Sequence, residues 1–314
     1  MANPFFYVAR SVLLWAAGSS ACKNLVSKLP VTKPVVKRFI SGETVDDALS
    51  VVAELKAKGI RTTVDFLGED TTDVSQAYAT RDAYIELLEQ AAKAGLSDSI
   101  EVSIKLTALG LGLPKGDEIA YSIAEAIVAA AAAAGTTATV DMEDHTATDQ
   151  TLAVVDRLRE KYPQTGTVLQ AMLFRTIDDA EKYSGKLSRI RLCKGAYKEP
   201  AAVAHQAKEE VDAAYIKALQ VLINGDGRPM VASHDPKIIE IAKELTEAAG
   251  LDKGAFEFQM LYGIRTDEQA KLAGEGYNVT VYVPYGTDWW GYFVRRLAER
   301  PANLTFFLRA LIGK

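Results

Sequence analysis

Residues 279–303, VTVYVPYGTDWWGYFVRRLAERPAN, contain a strand pattern that changes within a few residues into a helix pattern. In the segment 279–283, valines alternate with a threonine and a tyrosine, as they do in a half-buried strand. Pro284 and Gly286 are residues that do not continue a central strand, so the strand is predicted to end at 282–284. The stretch therefore predicts one strand that leads directly into one helix.

This helix is predicted at 287–299, with Thr287 or Asp288 as its N-cap. Residues three and four positions apart lie on the same side of a helix, so the sequence brings together a tyrosine, two arginines and a glutamate. They are Tyr292, Arg295, Arg296 and Glu299. Adjacent arginines most often form a solvated face. The aromatic residues around this pair favour a binding site just beyond the end of a strand.

The order of a strand followed by a helix recurs from residue 41 onward. A first helix is predicted at 44–58, and strand-helix pairs follow with helices at 72–94, 117–134, 147–161, 177–184, 199–222, 236–248, 266–273 and 287–299. Eight pairs in about 250 residues predict an α/β fold, the (β/α)8 barrel of TIM type. A doubly wound sheet also alternates, but no G-x-G-x-x-G follows the first strand.

The length of 314 residues suits one large barrel domain. We predict an N-terminal helical arm at 1–42 and the barrel at 43–314. The net charge of −5 argues against a nucleic-acid surface, which needs concentrated positive charge. Cys22 and Cys193 are far apart in sequence and do not suggest a disulfide framework, so a cytoplasmic location fits best.

The N-terminal arm is apolar at first and basic afterwards. Residues 5–22 resemble a signal peptide, but Arg10 interrupts their start and the apolar run is too short to span a bilayer. Residues 26–39, VSKLPVTKPVVKRF, are basic and amphipathic. The arm is therefore predicted to pack on the barrel, with peripheral contact to anionic lipid at the inner face of a membrane as the alternative.

Polar side chains stand near the carboxyl ends of all eight predicted strands, where barrel enzymes place their active sites. In chain order they are Asp65 and Glu69, Lys105, Asp141 and Glu143, Gln170, Arg191 and Lys194, His234, Gln259, and Tyr282. A charge inside a packed barrel is costly unless it is paired or faces solvent, so the set predicts a site for a large polar ligand. Structural roles stay open for single members, with Lys105 neutralising Asp141 and His234 acting as a local cap.

Two other chemistries have weaker signals. The segment DMEDH at 141–145 is rich in metal-ligand residue types, but along a strand Asp141 and Glu143 face one way and Asp144 the other, and the histidines form no H-x-x-x-H pair. No metal site is predicted. No G-x-S-x-G occurs, so acyl transfer by a Ser-His-Asp triad has no positive support.

Six segments resemble the strand-end motifs of proline dehydrogenases, in the order of that family. They are IKLTALG (104–110), VDMED (140–144), LQAML (169–173), RLCKGAY (191–197), FEFQMLYG (256–263), and YVPYG with YFVRRLAERPAN (within 282–303). The resemblance extends over about residues 41–312 and is only loose at the N-terminus. It implies a (β/α)8 barrel that holds FAD without a Rossmann domain, in agreement with the missing glycine motif.

The resemblance also implies an activity and its residues. L-proline would be oxidised to 1-pyrroline-5-carboxylate by hydride transfer to FAD, with a quinone as electron acceptor and pyrroline-5-carboxylate dehydrogenase as a candidate partner. FAD would be bound by Gln170, Arg191, Lys194, Gly195, His234, Gln259 and Glu299. Proline would be bound by Lys105, Leu261, Tyr282, Tyr292, Arg295 and Arg296. Catalysis would involve Arg191 near flavin N5 together with Lys105, Asp141 and Tyr282, with Asp141 anchoring the cationic groups.

Two alternatives remain open. Another barrel enzyme acting on an anionic substrate, such as a folate-type flavin reductase or an aldolase that uses Lys105 as a Schiff base, would keep the fold and change the chemistry. A membrane-associated binding protein would combine the N-terminal arm with a degenerate barrel. Bound flavin would separate the predicted enzyme from an aldolase, and the complete set of polar strand ends argues against a degenerate barrel.

Overall fold

The computed structural model describes residues 32–69 and 71–299. Eight parallel strands close into a barrel in chain order, and the last strand pairs with the first. They are β1 (Arg61–Phe66), β2 (Ile100–Ile104), β3 (Ala138–Val140), β4 (Gly166–Gln170), β5 (Arg189–Cys193), β6 (Arg228–Ala232), β7 (Glu257–Leu261) and β8 (Asn278–Tyr285). The predicted (β/α)8 barrel is confirmed.

Helices surround the barrel and alternate with its strands. Within the described ranges they are α1 (Lys33–Lys37), α2 (Val45–Lys56), α3 (Val74–Lys93), α4 (Gly116–Ala133), α5 (Thr148–Lys161), α6 (Thr176–Tyr183), α7 (Lys208–Asn224), α8 (Pro236–Ala248), α9 (Thr266–Gly274) and α10 (Trp290–Glu299). Most boundaries lie within two residues of those predicted. Among these helices, none is long and apolar enough to cross a membrane.

The largest boundary error concerns α7, which begins at Lys208 and not at residue 199. The preceding segment is a loop held by tertiary contacts. Glu199 accepts hydrogen bonds from the backbone N–H of His145, at 3.0 Å, and from its ring Nδ1. Ala204 forms an isolated bridge with Leu173. These contacts to other loops hold the segment next to the open end of the barrel and keep it from continuing the helix.

The transition from β8 to α10 also differs from the prediction. β8 continues through Pro284, because proline removes only a donor and the Pro284 carbonyl still accepts two hydrogen bonds from Ser41, each at 3.0 Å. α10 begins at Trp290, directly after Trp289, whose carbonyl accepts from Phe293 N–H at 2.9 Å. The predicted helix start at residue 287 is therefore too early, and capping by Thr287 or Asp288 stays a prediction.

The described part of the N-terminal arm packs on α10. Phe39 and Ile40 are buried in one apolar cluster with Trp289 and Phe293, and the rings of Phe39 and Phe293 lie 6.3 Å apart. Residues 1–31, which carry the predicted apolar segment and part of the basic segment, lie outside the described residues. The arm at 1–42 as a separate unit stays a prediction.

The interior of the barrel is polar, whereas the main apolar core lies between the strands and the helices. Arg191 on β5 reaches Thr63 on β1, Ser103 on β2 and Gln259 on β7, none of them on a neighbouring strand. Only side chains that point into the barrel can make such contacts. The fold thus directs a polar network along the barrel axis toward the carboxyl ends of the strands.

Candidate active site

A cavity of about 690 Å³ opens at the carboxyl ends of β3 to β8. The predicted site residues that line it are Asp141, Gln170, Arg191, Lys194, Gly195, His234, Gln259, Leu261, Tyr282 and Arg296. Among the predicted residues that the structure describes in full, three others do not line it: Lys105, Tyr292 and Arg295. The side chain of Glu299 lies outside the described residues. The barrel therefore brings ten residues from distant parts of the sequence to one cavity.

The guanidinium of Arg191 is buried in the wall of this cavity and held on several sides. Its Nε donates to Gln259 Oε1 at 2.5 Å, and Nη1 donates to Ser103 Oγ at 2.8 Å and to Asp141 Oδ1 at 2.5 Å. Nη2 donates to Thr63 Oγ1 at 3.2 Å. Because these partners come from four different strands or strand ends, the position of the positive charge is fixed before any ligand binds.

Asp141 links Arg191 to the aromatic wall of the cavity. The Tyr282 hydroxyl donates to Asp141 Oδ2 at 2.8 Å, and the Arg191 guanidinium carbon lies 5.4 Å from the centre of the Tyr282 ring. Burial raises the pKa of Tyr282 well above its usual value, and the neighbouring carboxylates of Asp141 and Asp65 raise it further. Tyr282 therefore remains a protonated donor to Asp141.

Lys105 lies beside the cavity and pairs with Asp65, whereas the sequence analysis considered Asp141 as its partner. Its Nζ donates to Asp65 Oδ2 at 2.6 Å and to the Tyr282 hydroxyl at 3.4 Å. The ion pair of Asp141 is with Arg191, and Lys105 acts on Asp141 as a nearby positive charge. Burial alone would lower the pKa of Lys105, but Asp65 and Asp141 outweigh it and the pKa is raised. Lys105 is a protonated donor.

Lys194 and Gly195 form the rim of the cavity after β5. Lys194 Nζ contacts two carboxylates, Asp212 Oδ1 at 2.5 Å and Asp235 Oδ2 at 2.8 Å. Gly195 has a φ of +106°, and a Cβ at this position would lie 2.4 Å from the sulfur of Met172. Glycine is therefore needed both for the backbone conformation and for the close approach of the loop to its neighbour.

His234 is oriented by the backbone of the next strand. Its Nε2 accepts a hydrogen bond from Leu261 N–H at 2.9 Å, which leaves the ring at the cavity wall. The N-cap of α8 is Asp235, whose side chain accepts from Lys237 N–H at 3.1 Å. The alternative that His234 serves as the cap is thus wrong. Gln170, at the end of β4, donates from Nε2 to the backbone carbonyl of Glu143 at 2.8 Å.

The two adjacent arginines of α10 have different environments. Arg296 is buried, lines the cavity, and its guanidinium carbon lies 4.8 Å from the centre of the Tyr292 ring. Tyr292 is itself buried in the apolar cluster that includes Trp289 and Phe293. Tyr292 thus contacts Arg296 but does not line the cavity. The structure therefore supports direct contact with the substrate for Arg296 more than for Tyr292.

Arg295 points toward Glu69, beyond the end of β1. Its Nη2 lies 3.0 Å from Glu69 Oε1, and 43% of its side chain is exposed. The sequence grouped Arg295 with Glu299 on one side of the helix, whereas the carboxylate that pairs with Arg295 in the structure is that of Glu69. A carboxylate ligand would have to compete with Glu69 for this guanidinium.

Tyr197 is a cavity residue that the sequence analysis did not single out. It lines both the main cavity and a neighbouring cavity of about 260 Å³, and 39% of the residue is exposed. Partial desolvation of its hydroxyl raises the pKa of that group, and Glu69 and Glu143 raise it further. A signal was present, because Tyr197 ends the RLCKGAY segment that also contains Arg191 and Lys194. Position in that segment alone could have identified it.

A closed parallel barrel with a charged cavity at the carboxyl ends of its strands defines the class of β/α-barrel enzymes. Within that class, the family model "Proline dehydrogenase" matches residues 48–309. The chain therefore belongs to the proline dehydrogenase family, as the six segments predicted.

Relatives support this assignment over nearly the whole chain. Proline dehydrogenase of Deinococcus radiodurans is 40% identical over 281 residues, which cover 88% of this chain and 90% of the relative. Proline dehydrogenase 1 of Bacillus subtilis subsp. natto is 38% identical over 283 residues, which cover 90% and 92%.

The fold has a counterpart among solved structures. The crystal structure of proline utilization A (PutA) from Bdellovibrio bacteriovorus inactivated by N-propargylglycine is similar with a TM-score of 0.78 at 24% sequence identity. The match covers 91% of this chain and 38% of that one, so the chain spans little more than a third of the length of PutA. At this identity the likeness concerns the fold alone.

Proposed function

We propose that this protein oxidises L-proline to 1-pyrroline-5-carboxylate, the first step of proline catabolism, with FAD bound in the cavity and a quinone as electron acceptor. Membership of the proline dehydrogenase family supports the reaction. Within the structure, the observation that carries the proposal is the buried guanidinium of Arg191, which is fixed in the cavity wall by hydrogen bonds to strands on several sides of the barrel.

The cavity suits a flavin in size and chemistry. Its volume of about 690 Å³ falls within the range of about 300–1,000 Å³ that is usual for cofactor sites and exceeds what one amino acid needs. Apolar side chains such as Val168 and Met260 alternate in its wall with hydrogen-bonding groups, and Gly195 gives close access to the backbone. We propose that FAD is held by Gln170, Arg191, Lys194, Gly195, His234, Gln259 and Glu299.

Bound FAD would supply hydride acceptance, since the cofactor carries this chemistry. The protein contributes a positive charge that is already in position. Arg191 does not need to reorganise when negative charge develops beside it, because Gln259, Ser103 and Asp141 hold its nitrogens in the resting protein. Donors fixed in this way in a dry site stabilise developing charge far better than mobile ones.

The substrate would occupy the end of the cavity next to α10. Leu261, Tyr282 and Arg296 line it there, and we propose that Arg296 binds the proline carboxylate while the other two pack against the pyrrolidine ring. The substrate site would be completed by three residues that do not line the cavity themselves, Lys105, Tyr292 and Arg295. Of these, Lys105 donates to the Tyr282 hydroxyl and Tyr292 lies against the Arg296 guanidinium.

The environment of Lys105 argues against the aldolase alternative. A Schiff base forms from a neutral amine, whereas the pKa of Lys105 is raised because Asp65 and Asp141 outweigh the effect of burial. The amine is also engaged by Asp65 at 2.6 Å. A structural and substrate-orienting role is therefore better supported for Lys105 than a nucleophilic one.

The visible spectrum of the purified protein, with and without L-proline under anaerobic conditions, tests this proposal. We expect flavin absorption at about 450 nm that bleaches on addition of proline. The same absorption with no bleaching by proline would contradict the substrate, and a colourless protein that binds no added FAD would contradict the cofactor. Restoring the bleached absorption with a soluble quinone analogue tests the electron acceptor.

The proposals for a partner enzyme and for the location of the protein rest on one relative and on the N-terminal arm. The bifunctional protein PutA of Escherichia coli is 25% identical, and the match covers 24% of its length. We propose pyrroline-5-carboxylate dehydrogenase as the enzyme that consumes the product, and a cytoplasmic location with peripheral contact of the N-terminal arm to the membrane. Flotation of the protein with anionic vesicles tests this contact, and the same protein truncated before residue 32 is the control.

Tyr282 is expected to set the preference for proline over hydroxyproline. Its ring lies at the cavity wall, held by the hydrogen bond to Asp141, where it would crowd a substituent on C4 of the substrate. Tyr282→Ser should raise the ratio of kcat/KM for hydroxyproline to that for proline. Tyr282→Phe keeps the ring and loses only the hydroxyl, so its ratio should stay close to that of the wild type. A ratio that does not rise in the serine variant would show that the ring does not contact C4.

A further inference from the structure

Behind Arg191, on the side away from the cavity, the barrel contains a second group of charges. Glu101 on β2 is 2% exposed and does not line the cavity. Its Oε2 lies 2.5 Å from Nη2 of Arg189, and its Oε1 lies 3.6 Å from Nη2 of Arg191. One buried carboxylate thus lies between two arginines, and only Arg191 reaches the site.

Glu101 is ionised in this position. Burial by itself would raise the pKa of its carboxyl group, but Arg189 and Arg191 outweigh burial and the pKa is lowered. The hydroxyls of Thr137 and Thr139 also face the carboxylate, at 3.3 Å and 3.4 Å. The carboxylate is therefore stabilised both by neighbouring positive charge and by hydrogen bonds.

Arg191 consequently shares its charge between two carboxylates. Asp141 meets it at the cavity wall and Glu101 approaches it from behind. Charges this close in a buried site interact strongly, because the local dielectric constant is far below that of water. The positive potential that Arg191 projects into the cavity is therefore smaller than that of an isolated guanidinium, and Glu101 determines part of the difference.

We propose that Glu101 is a positioning residue that sets the reduction potential of the bound flavin through Arg191. The inference rests on the proposed function. A negative charge behind Arg191 disfavours the reduced, anionic flavin, so the carboxylate lowers the potential. Arg189 acts in the opposite direction, because it neutralises part of the charge of Glu101.

Two substitutions therefore have opposite predicted effects. Glu101→Gln keeps the shape and removes the negative charge, so the flavin potential should rise. Arg189→Met leaves Glu101 less compensated, so the potential should fall. We expect about a tenfold change in the equilibrium constant for reduction in each case, which is about 30 mV for a two-electron couple. General damage to the barrel would move both variants in the same direction.

Glu257 provides a matched control. It is a second buried carboxylate inside the barrel, with 2% exposure, but it pairs with Arg228 and is linked to Arg191 through the side chain of Gln259. Its charge also acts on Arg189, more weakly than that of Glu101 does. Glu257→Gln should therefore shift the potential less than Glu101→Gln does. Comparable shifts in the two variants would mean that total barrel charge, and not contact with Arg191, controls the flavin.

The experiment is anaerobic equilibration of each purified flavoprotein with reference dyes, followed by thermal unfolding to confirm that the variants fold. Opposite shifts for Glu101→Gln and Arg189→Met, with a smaller shift for Glu257→Gln, would support the proposal. An unchanged potential in Glu101→Gln, while its flavin is still bound and bleached by proline, would overturn it and leave the proposed function intact. If Glu101→Gln does not fold, the sign of the shift in Arg189→Met decides. A wild-type protein that contains no flavin and binds no added FAD would overturn the proposed function itself.

Discussion

Arg191→Met is expected to slow reduction of the bound flavin by proline by about tenfold to a thousandfold, by analogy with the loss of one preorganised donor from an active site, which costs about a hundredfold to a thousandfold. Methionine has a similar length and no charge, so the variant lacks the guanidinium where negative charge develops. Folding should persist. Asp141 loses its ion-pair partner when Arg191 is removed, but it keeps the hydroxyl donors Ser103 and Tyr282 and the nearby positive charge of Lys105.

Stopped-flow mixing of the anaerobic variant with proline measures this rate directly, and the flavin absorption before mixing reports FAD occupancy. Arg228→Met is a suitable control, because Arg228 lies on the neighbouring strand β6, contacts Glu257 and Gly254, and does not line the cavity. We expect near wild-type reduction in this control. Reduction at wild-type speed in Arg191→Met with FAD fully bound would contradict the role proposed for the guanidinium.

The barrel itself was predictable because local patterns determine its elements. Each strand is a short run of apolar or alternating residues, and each helix ends near a glycine or begins near a capping residue. Gly59, Gly95 and Gly135 all adopt positive φ after helices that were predicted to end there. Such signals depend only on residues that are close together in the chain, so they can be recognised in the sequence without knowledge of tertiary contacts.

The start of α7 was not predictable in this way. Residues 199–207 have no strong helix breaker apart from Pro200, and the contact that holds them as a loop joins Glu199 to His145, which lies 54 positions earlier. Nothing near residue 199 indicates that partner. The loop matters for function because it directly follows the segment 194–198, in which Lys194, Gly195 and Tyr197 line the cavity.

The sequence also could not predict which side chains pair with each other across the interior of the barrel. The strand ends indicated that Lys105, Asp65 and Asp141 would be close together. They did not indicate that Lys105 forms its ion pair with Asp65, or that Arg191 forms its ion pair with Asp141. The choice depends on register. Asp65 pairs in register with Ser103, two residues before Lys105 on β2, and single-residue differences of this kind cannot be read from periodicity.

Arg296→Met is expected to raise KM for proline by about thirtyfold to several thousandfold. Arg296 is buried at the cavity, and loss of one partner of a desolvated charge pair costs roughly 2–5 kcal/mol. Pyrrolidine lacks the carboxylate and should be a poor substrate for the wild type. Its kcat/KM should therefore be nearly the same in the variant, because the interaction that is removed never forms with it.

The neighbouring residue Arg295 supplies the comparison within the same helix. Consecutive helical residues point about 100° apart, and here one arginine faces the cavity while the other, with 43% of its side chain exposed, pairs with Glu69. Exposed pairs contribute little because water screens them. Arg295→Met should thus raise KM for proline clearly less than Arg296→Met does.

Steady-state kinetics of both variants on proline and pyrrolidine decide the matter, with Arg296→Lys as a variant that retains a charge but not the planar fork. A guanidinium can bind a carboxylate through two parallel hydrogen bonds and an ammonium cannot, so lysine should restore only part of the affinity. An unchanged KM for proline in Arg296→Met, or an equal loss on pyrrolidine, would show that Arg296 stabilises the packing of α10 on Tyr292 and does not bind the carboxylate.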